Sequence, residues 1–191
     1  LGPRLNAAGR MNDASSSYRL LTTQSSEEAR LLARELGAKN VERQKLTNEV
    51  LSRAKERLAP KLHLPLLVDG DESYSVGVIG LVASKLVDEF YKPAIIISLG
   101  PESCQGSCRS IAEFDMVSAL TECHDLLIAF GGHPLAAGFT VPRQNLAHLE
   151  QKLLGLAAER LGHLELRPEL VIDAELPLAA FSGETFSLMQ N

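Results

Sequence analysis

The chain has 191 residues, 45% of them hydrophobic, with a formal net charge of −5. This is enough apolar material for one sizeable core, or a core plus an appended element. It excludes a binder that works through a broad basic face, and no apolar run reaches the roughly 18 residues of a membrane span.

No basic start followed by an apolar core reads as a signal peptide. Cys104, Cys108 and Cys123 are an odd number in a chain that needs no staples, so free thiols in a reducing cytoplasm are expected. With His124 they lack the C-x₂-C knuckle of a zinc site, and zinc is not expected. Charge is uneven. Residues 1–60 hold 11 Lys+Arg against 7 Asp+Glu, or +4, and residues 61–191 hold 8 against 17, or −9. An anion site in the later part must therefore use a few placed groups.

Residues 1–24, rich in Gly, Pro, Asn, Asp and Ser, read as loop and short helix at a domain boundary. The chain, opening on Leu1 and closing on Met189-Gln190-Asn191, reads as an internal piece of a longer protein. Ser25 with Glu28 three residues on forms a capping-box signature. No proline follows until Pro60, and Leu32, Leu36, Val50, Ala54 and Leu58 recur at helical spacing. A connector helix over 25–60 is expected, with Gly37 as a point of bending or breakage.

Residues 61–165 then read as an α/β domain with a mixed sheet flanked by helices. Strands are expected at Leu64–Val68, Ala94–Ser98, Gln105–Ile111 and Ala137–Val141, and a last short one at Leu170–Ile172. A helix over Gly80–Phe90 completes a right-handed βαβ unit. Asp115 is expected to cap a helix through Leu120, and Asn145 one through about Leu161. Asp69-Gly70-Asp71 reads as a turn between elements rather than a cation site.

Three segments carry candidate chemistry. In Gly131-Gly132-His133-Pro134-Leu135-Ala136-Ala137-Gly138, glycines let backbone N–H groups approach an anion, small alanines accommodate a flat group, and His133 can donate to a phosphate. A tight strand-to-helix turn explains the same residues equally well. Gly106-Ser107-Cys108-Arg109-Ser110 sets an arginine fork between hydroxyls in an acidic region, a compact anion pocket, or else a polar strand with a surface ion pair. In Gly2-Pro3-Arg4-Leu5-Asn6-Ala7-Ala8-Gly9-Arg10, Arg4, Asn6 and Arg10 face phosphates or are ordinary solvated groups.

Taken in order, with the long helix and Val76-Gly77-Val78-Ile79-Gly80 between them, these segments resemble the RecJ family, and the Gly131–Gly138 segment resembles the GGHxxAAG signature of DHHA1 domains. The resemblance covers nearly the whole chain. It implies a connector helix followed by a DHHA1-type domain, with the DHH domain before it and an OB-fold after it lying outside this chain. It implies 5′-to-3′ hydrolysis of single-stranded DNA in repair and recombination, on two Mn²⁺ or Mg²⁺ ions held by the DHH domain, and no ion held by this piece.

On that pattern Ser107 and Arg109 match phosphate-binding positions, Arg4 and Arg10 match the segment bordering the DHH site, and Ser110 and Asn6 beside them are further candidates for binding substrate. Gly131, Gly132, His133, Ala136, Ala137 and Gly138 match the motif lining the substrate cleft. Residues 166–191 match the lead-in to the OB-fold. Single-stranded-DNA-binding protein is a further implied partner, and no membrane is. Two departures stand out: no Asp-His-His occurs, and Tyr74-Ser75-Val76-Gly77 stands where the family often has Trp-His-Pro-Gly, so Ser75 replaces a histidine. Three other readings are a phosphodiesterase of short oligonucleotides or cyclic dinucleotides, a non-catalytic replication scaffold, and a DHHA1-like module of an alanyl-tRNA synthetase. The Gly2–Arg10 segment disfavours the first and the last.

Overall fold

The computed structural model describes residues 1–11 and 13–189. Residues 1–11 and 13–23 are more regular than their composition suggests. They form α1 (Gly2–Met11) and α2 (Ser15–Thr22), and the wholly buried Ala7 and Ala8 let α1 pack closely on the next helix. Pro3 is tolerated because a first-turn N–H has no helical partner to lose.

That next helix, α3 (Ser26–Leu58), runs unbroken for 33 residues, about 50 Å. Gly37 does not interrupt it. Ser25 caps it by accepting from the Glu28 backbone N–H, but the reciprocal arm of the capping box is absent. Thr23 and Arg19 hold the Glu28 carboxylate instead, and drive it below the usual carboxylate range. Acids in the first turn and bases in the last suit the helix dipole.

A five-stranded sheet follows in the order β1-β2-β3-β5-β4, with β1 (Leu67–Asp71) parallel to β2 (Ala94–Leu99). β3 (Ser103–Arg109), β4 (Ala129–His133) and β5 (Ala136–Pro142) are antiparallel to their neighbours. The expected βαβ unit is β1, α4 (Val76–Phe90) and β2.

One sheet face is covered by α5 (Met116–Glu122) and α6 (Leu146–Leu161). Ile95, Ile97, Cys104, Cys108, Phe139 and Val141 meet Met116, Leu120, Leu149 and Leu153 there. On the other face, Leu67, Ala94 and Ile96 meet α4 and the last turns of α3, through Val78, Val82, Leu86, Val50 and Ala54. Helix cover on this second face reaches β3, and beyond it β5 and β4 lie open, with β3 at the margin.

Several boundaries differ from expectation. β1 begins three residues late and takes in Asp69-Gly70-Asp71, so those residues form strand rather than turn. The cause is tertiary. Arg57 of α3 bonds the buried Asp69 (Nε–Oδ1 2.8 Å) and Asp71 (Nη1–Oδ2 2.8 Å), and the Tyr74 hydroxyl donates to Asp69 Oδ2 at 2.7 Å. This basic partner takes the place of a cation. α4 starts one turn earlier than read, and Asp115 caps α5 as expected, its side chain accepting from Ser118 N–H.

Asn145 sits at the N-cap position of α6 without bonding the helix. Its amide donates to the Leu126 carbonyl. Leu170, Val171 and Ile172 are exposed and form no strand, since no neighbouring strand meets their backbone. The described part of the tail carries a 3₁₀ turn at Leu178–Ala180 and a short helix, α7 (Gly183–Met189), and residues 190–191 of the expected OB-fold lead-in lie outside the described residues. Among the described residues no helix is long and apolar enough to cross a membrane.

Candidate nucleic-acid interface

Side chains alternate across a strand, so position along β3 decides which groups reach the open face. Gln105, Ser107 and Arg109 reach it, while Cys104 and Cys108 are buried in the opposite core. Register extends this into three rows. Arg109 lies opposite Ala136, which lies opposite His133. Ser107, Gly138 and Gly131 form the next row, and Gln105, Thr140 and Ala129 the third. Strands stand about 4.8 Å apart, so His133 is roughly 10 Å across the floor from Arg109. Because β5 and β4 contribute mainly Gly and Ala to these rows, the floor is flat, and the polar groups stand at its margins.

Arg109 anchors the inner margin. Its Nη1 donates to the Cys108 carbonyl at 2.7 Å and reaches Ser107 Oγ at 3.4 Å. Among the described residues no carboxylate pairs with it, so the rest of the guanidinium fork stays available. α4 forms the wall beside it. A Cβ at Gly80 would stand 2.8 Å from Ser107 Oγ and 3.1 Å from Arg109 Nη2, so glycine is what lets the helix come this close. One turn earlier, a Cβ at Gly77 would stand 1.8 Å from the Arg10 carbonyl oxygen. Arg10 Nη1 in turn reaches the Gly77 carbonyl at 3.4 Å. Contact thus runs continuously from Arg10 through α4 to Arg109.

The structure divides the remaining candidates. Gly131, His133, Ala136 and Gly138 share the open face with Ser107 and Arg109. Ala137 points into the opposite core. Gly132 has φ +143°, with Ala136 O only 2.3 Å from where its Cβ would be, so it shapes the turn. The segment is a β-hairpin, not a strand-to-helix turn. Ser110 is buried: its hydroxyl donates to the Phe114 carbonyl at 2.6 Å and its N–H to the Leu135 carbonyl. Arg4 and Asn6 are exposed on α1 and make none of the described contacts with the shelf. Ser75 occupies the N-cap position of α4 without a side-chain cap bond.

Gln105, Thr140 and Val76 were not among the candidate site residues read from the sequence. They line a shallow cleft of about 370 Å³ beside Ser107, at the foot of α4. The alternation of Gln105 with Ser107 and Arg109 was the available signal. The three cysteines are free and buried, and burial pushes the thiols of Cys108 and Cys123 above their ordinary range. Among the described residues no three His, Cys, Asp or Glu gather where they would hold a metal ion. The described residues therefore offer no ligand set for one.

The profile of the DHHA1 domain matches residues 58–159, which contain the whole sheet and its shelf. The chain belongs to the DHHA1 domain family. It is 39% identical over 176 residues to the single-stranded-DNA-specific exonuclease RecJ of Bacillus subtilis, covering 91% of this chain and 22% of that protein. A crystal structure of RecJ in complex with Mg²⁺ from Thermus thermophilus superposes with a TM-score of 0.76 at 32% identity, covering 82% of this chain and 24% of that one. An exonuclease RecJ bound to manganese gives 0.71 at 31% identity, covering 86% and 42%.

The chain thus spans between a fifth and a half of these three relatives. The DHHA1 match begins at the last residue of α3, whereas the likeness to these two structures takes in more than four fifths of the chain. It therefore reaches well beyond the DHHA1 domain.

Proposed function

We propose that this chain is the strand-gripping part of a RecJ-type exonuclease, which hydrolyses phosphodiesters of single-stranded DNA from the 5′ end in repair and recombination. The observation that carries the reading is Arg109, free of any described carboxylate and set beside Ser107 at the margin of the open sheet face. A guanidinium with adjacent hydroxyl is suited to a phosphate oxygen pair. The flat floor of Gly131, Ala136 and Gly138 gives a sugar or base room to lie, and His133 closes the far margin. Arg10 extends the positive side along α4.

In this reading residues 1–24 end the upstream DHH domain, 25–60 connect, 61–165 form the DHHA1 domain, and 166–191 lead to an OB-fold. Mg²⁺ or Mn²⁺, the ions named with the RecJ structures, would be held upstream of this chain, which alone would be inactive. Ser110, Ala137 and Gly132 support the shelf from behind.

The test is anisotropy of a labelled 5′-phosphorylated oligothymidylate titrated with the chain across a salt series. Arg109→Ala is expected to weaken binding by roughly tenfold or more and to reduce the salt slope by about one. Wild-type affinity in Arg109→Ala would overturn the reading.

A further inference from the structure

The inward row of α3 is apolar at both ends and polar in the middle. Leu32 and Leu36 are buried, then Asn40 and Thr47, then Val50, Ala54 and Leu58, with the half-buried Arg43 between the two polar residues. The spacing of three and four keeps all of them on one face. Polar groups in such a seam are costly unless hydrogen-bonded. Asn40 Oδ1 accepts from Arg43 Nη2 at 3.1 Å, and the Thr47 hydroxyl donates to the Arg43 carbonyl at 2.7 Å. Arg43 Nε, however, is buried without an acceptor, the one such side-chain nitrogen or oxygen among the described residues.

Arg43 lines a cavity of about 440 Å³ between α3 and α4, together with Gln44, Thr47 and Asn48 of α3 and Leu81, Ser84 and Lys85 of α4. No carboxylate lines it, in a chain whose net charge is −5. Nor does either cation have a described ion-pair partner. The Ser84 hydroxyl already donates to the Gly80 carbonyl and that of Thr47 to its own helix. Lys85, Gln44, Asn48 and the N–H groups of Arg43 other than the one given to Asn40 have no acceptor among the described residues and stand around one space. Two cations and two amides with no internal counter-charge suit a small, multiply charged oxyanion.

We propose that this cleft is a second oxyanion site, which takes a phosphate group independently of the Ser107–Arg109 shelf. α4 borders both: Gly80 lies against Ser107 and Arg109 of β3, while Leu81, Ser84 and Lys85 line the cleft against α3. The same phosphate chemistry is offered by a free phosphate ion and by an internal phosphodiester of a strand.

The experiment follows thermal stability and calorimetric binding of the chain at constant ionic strength. One arm uses inorganic phosphate and the other an oligothymidylate without terminal phosphates. Wild type and Arg109→Ala are both expected to be stabilised by phosphate, because ligand bound to the native state alone raises the melting temperature. Lys85→Ala and Arg43→Gln are each expected to weaken that binding by roughly tenfold or more. If Arg43→Gln fails to fold, Lys85→Ala, at an exposed position, decides alone.

A response to phosphate only assigns a free anion, and a response to the oligothymidylate that Lys85→Ala abolishes assigns a strand. The proposal is overturned if neither probe binds. Equal responses in wild type and Lys85→Ala, or loss of the phosphate response in Arg109→Ala, would overturn it too. The last result would place the anion on the shelf, so the two sites fail separately.

Discussion

Replacing Gly80 with alanine should separate binding from folding. The added Cβ would stand 2.8 Å from Ser107 Oγ and 3.1 Å from Arg109 Nη2. Both atoms are side-chain ends that can turn away to another rotamer, so the helix need not move. Alanine also stabilises a mid-helix position by about 1 kcal/mol over glycine. Stability should therefore hold or rise by up to that amount. The displaced groups, however, lose their common aim at one anion. A hydrogen bond to a charged group contributes about 1.5–3 kcal/mol, so affinity for a 5′-phosphorylated strand should fall roughly 10- to 150-fold.

Urea denaturation followed by circular dichroism gives the first quantity, and anisotropy titration the second. Gly77→Ala is the contrast. There the obstacle is the backbone oxygen of Arg10 at 1.8 Å, which cannot turn aside, so α1 must shift and stability should fall by about 1–3 kcal/mol. Wild-type affinity in a stably folded Gly80→Ala would refute the view that Ser107 and Arg109 are aimed by the closeness of α4.

Other perturbations test the scaffold. In Gly106→Ala the new Cβ would fall 2.1 Å from the Phe139 ring, and this overpacking should cost about 1–3 kcal/mol, read as a lower urea midpoint at unchanged slope. Arg57→Leu leaves the buried Asp69 carboxylate short of its charged partner, and a loss of at least about 1–3 kcal/mol is expected in the same assay.

Burial, then the Asp69 carboxylate, raises the Tyr74 hydroxyl above its ordinary value of 10.0. The stability this contributes is complete below pH 10 and declines as pH rises further. Tyr74→Phe should lack that alkaline decline, and equal slopes above pH 10 in both proteins would contradict the assignment. Asp71 behaves oppositely. Bonds from Ser73, then the charge of Arg57, lower its pKa, so its contribution is present above about pH 4 and lost as pH falls through the depressed value. Asp71→Asn should flatten the acid limb of the unfolding curve.

α3 was legible in the sequence because its signals are local: a serine cap at Ser25, no proline until Pro60, and a spaced apolar row. β1 was misplaced because what keeps Asp69 and Asp71 in a strand is Arg57, on a helix that ends nine residues before β1 starts. β5 was legible as a strand at Ala137–Val141, but β4 was obscured by its Gly131-Gly132, since glycine carries neither strand propensity nor an alternating pattern.

Ser107 and Arg109 stood out by residue type. The inward turn of Ser110 and Ala137 follows from two-residue alternation only once strand ends are known. Arg43 was invisible among the charges of a long polar helix, and only the packing of α4 against that turn makes it half-buried.

Because α1 rests on α4 through Gly77, the two ends of α3 are tied to the same body, and α3 acts as a ruler. One inserted residue would turn the N-terminal helices by about 100° and lift them about 1.5 Å relative to the sheet. Seven would nearly restore the angle, yet carry α1 about 10.5 Å from its seat. Side chains on the outer surface of α3 are free to vary, but the number of residues between Ser25 and Pro60 is a fixed dimension of the molecule.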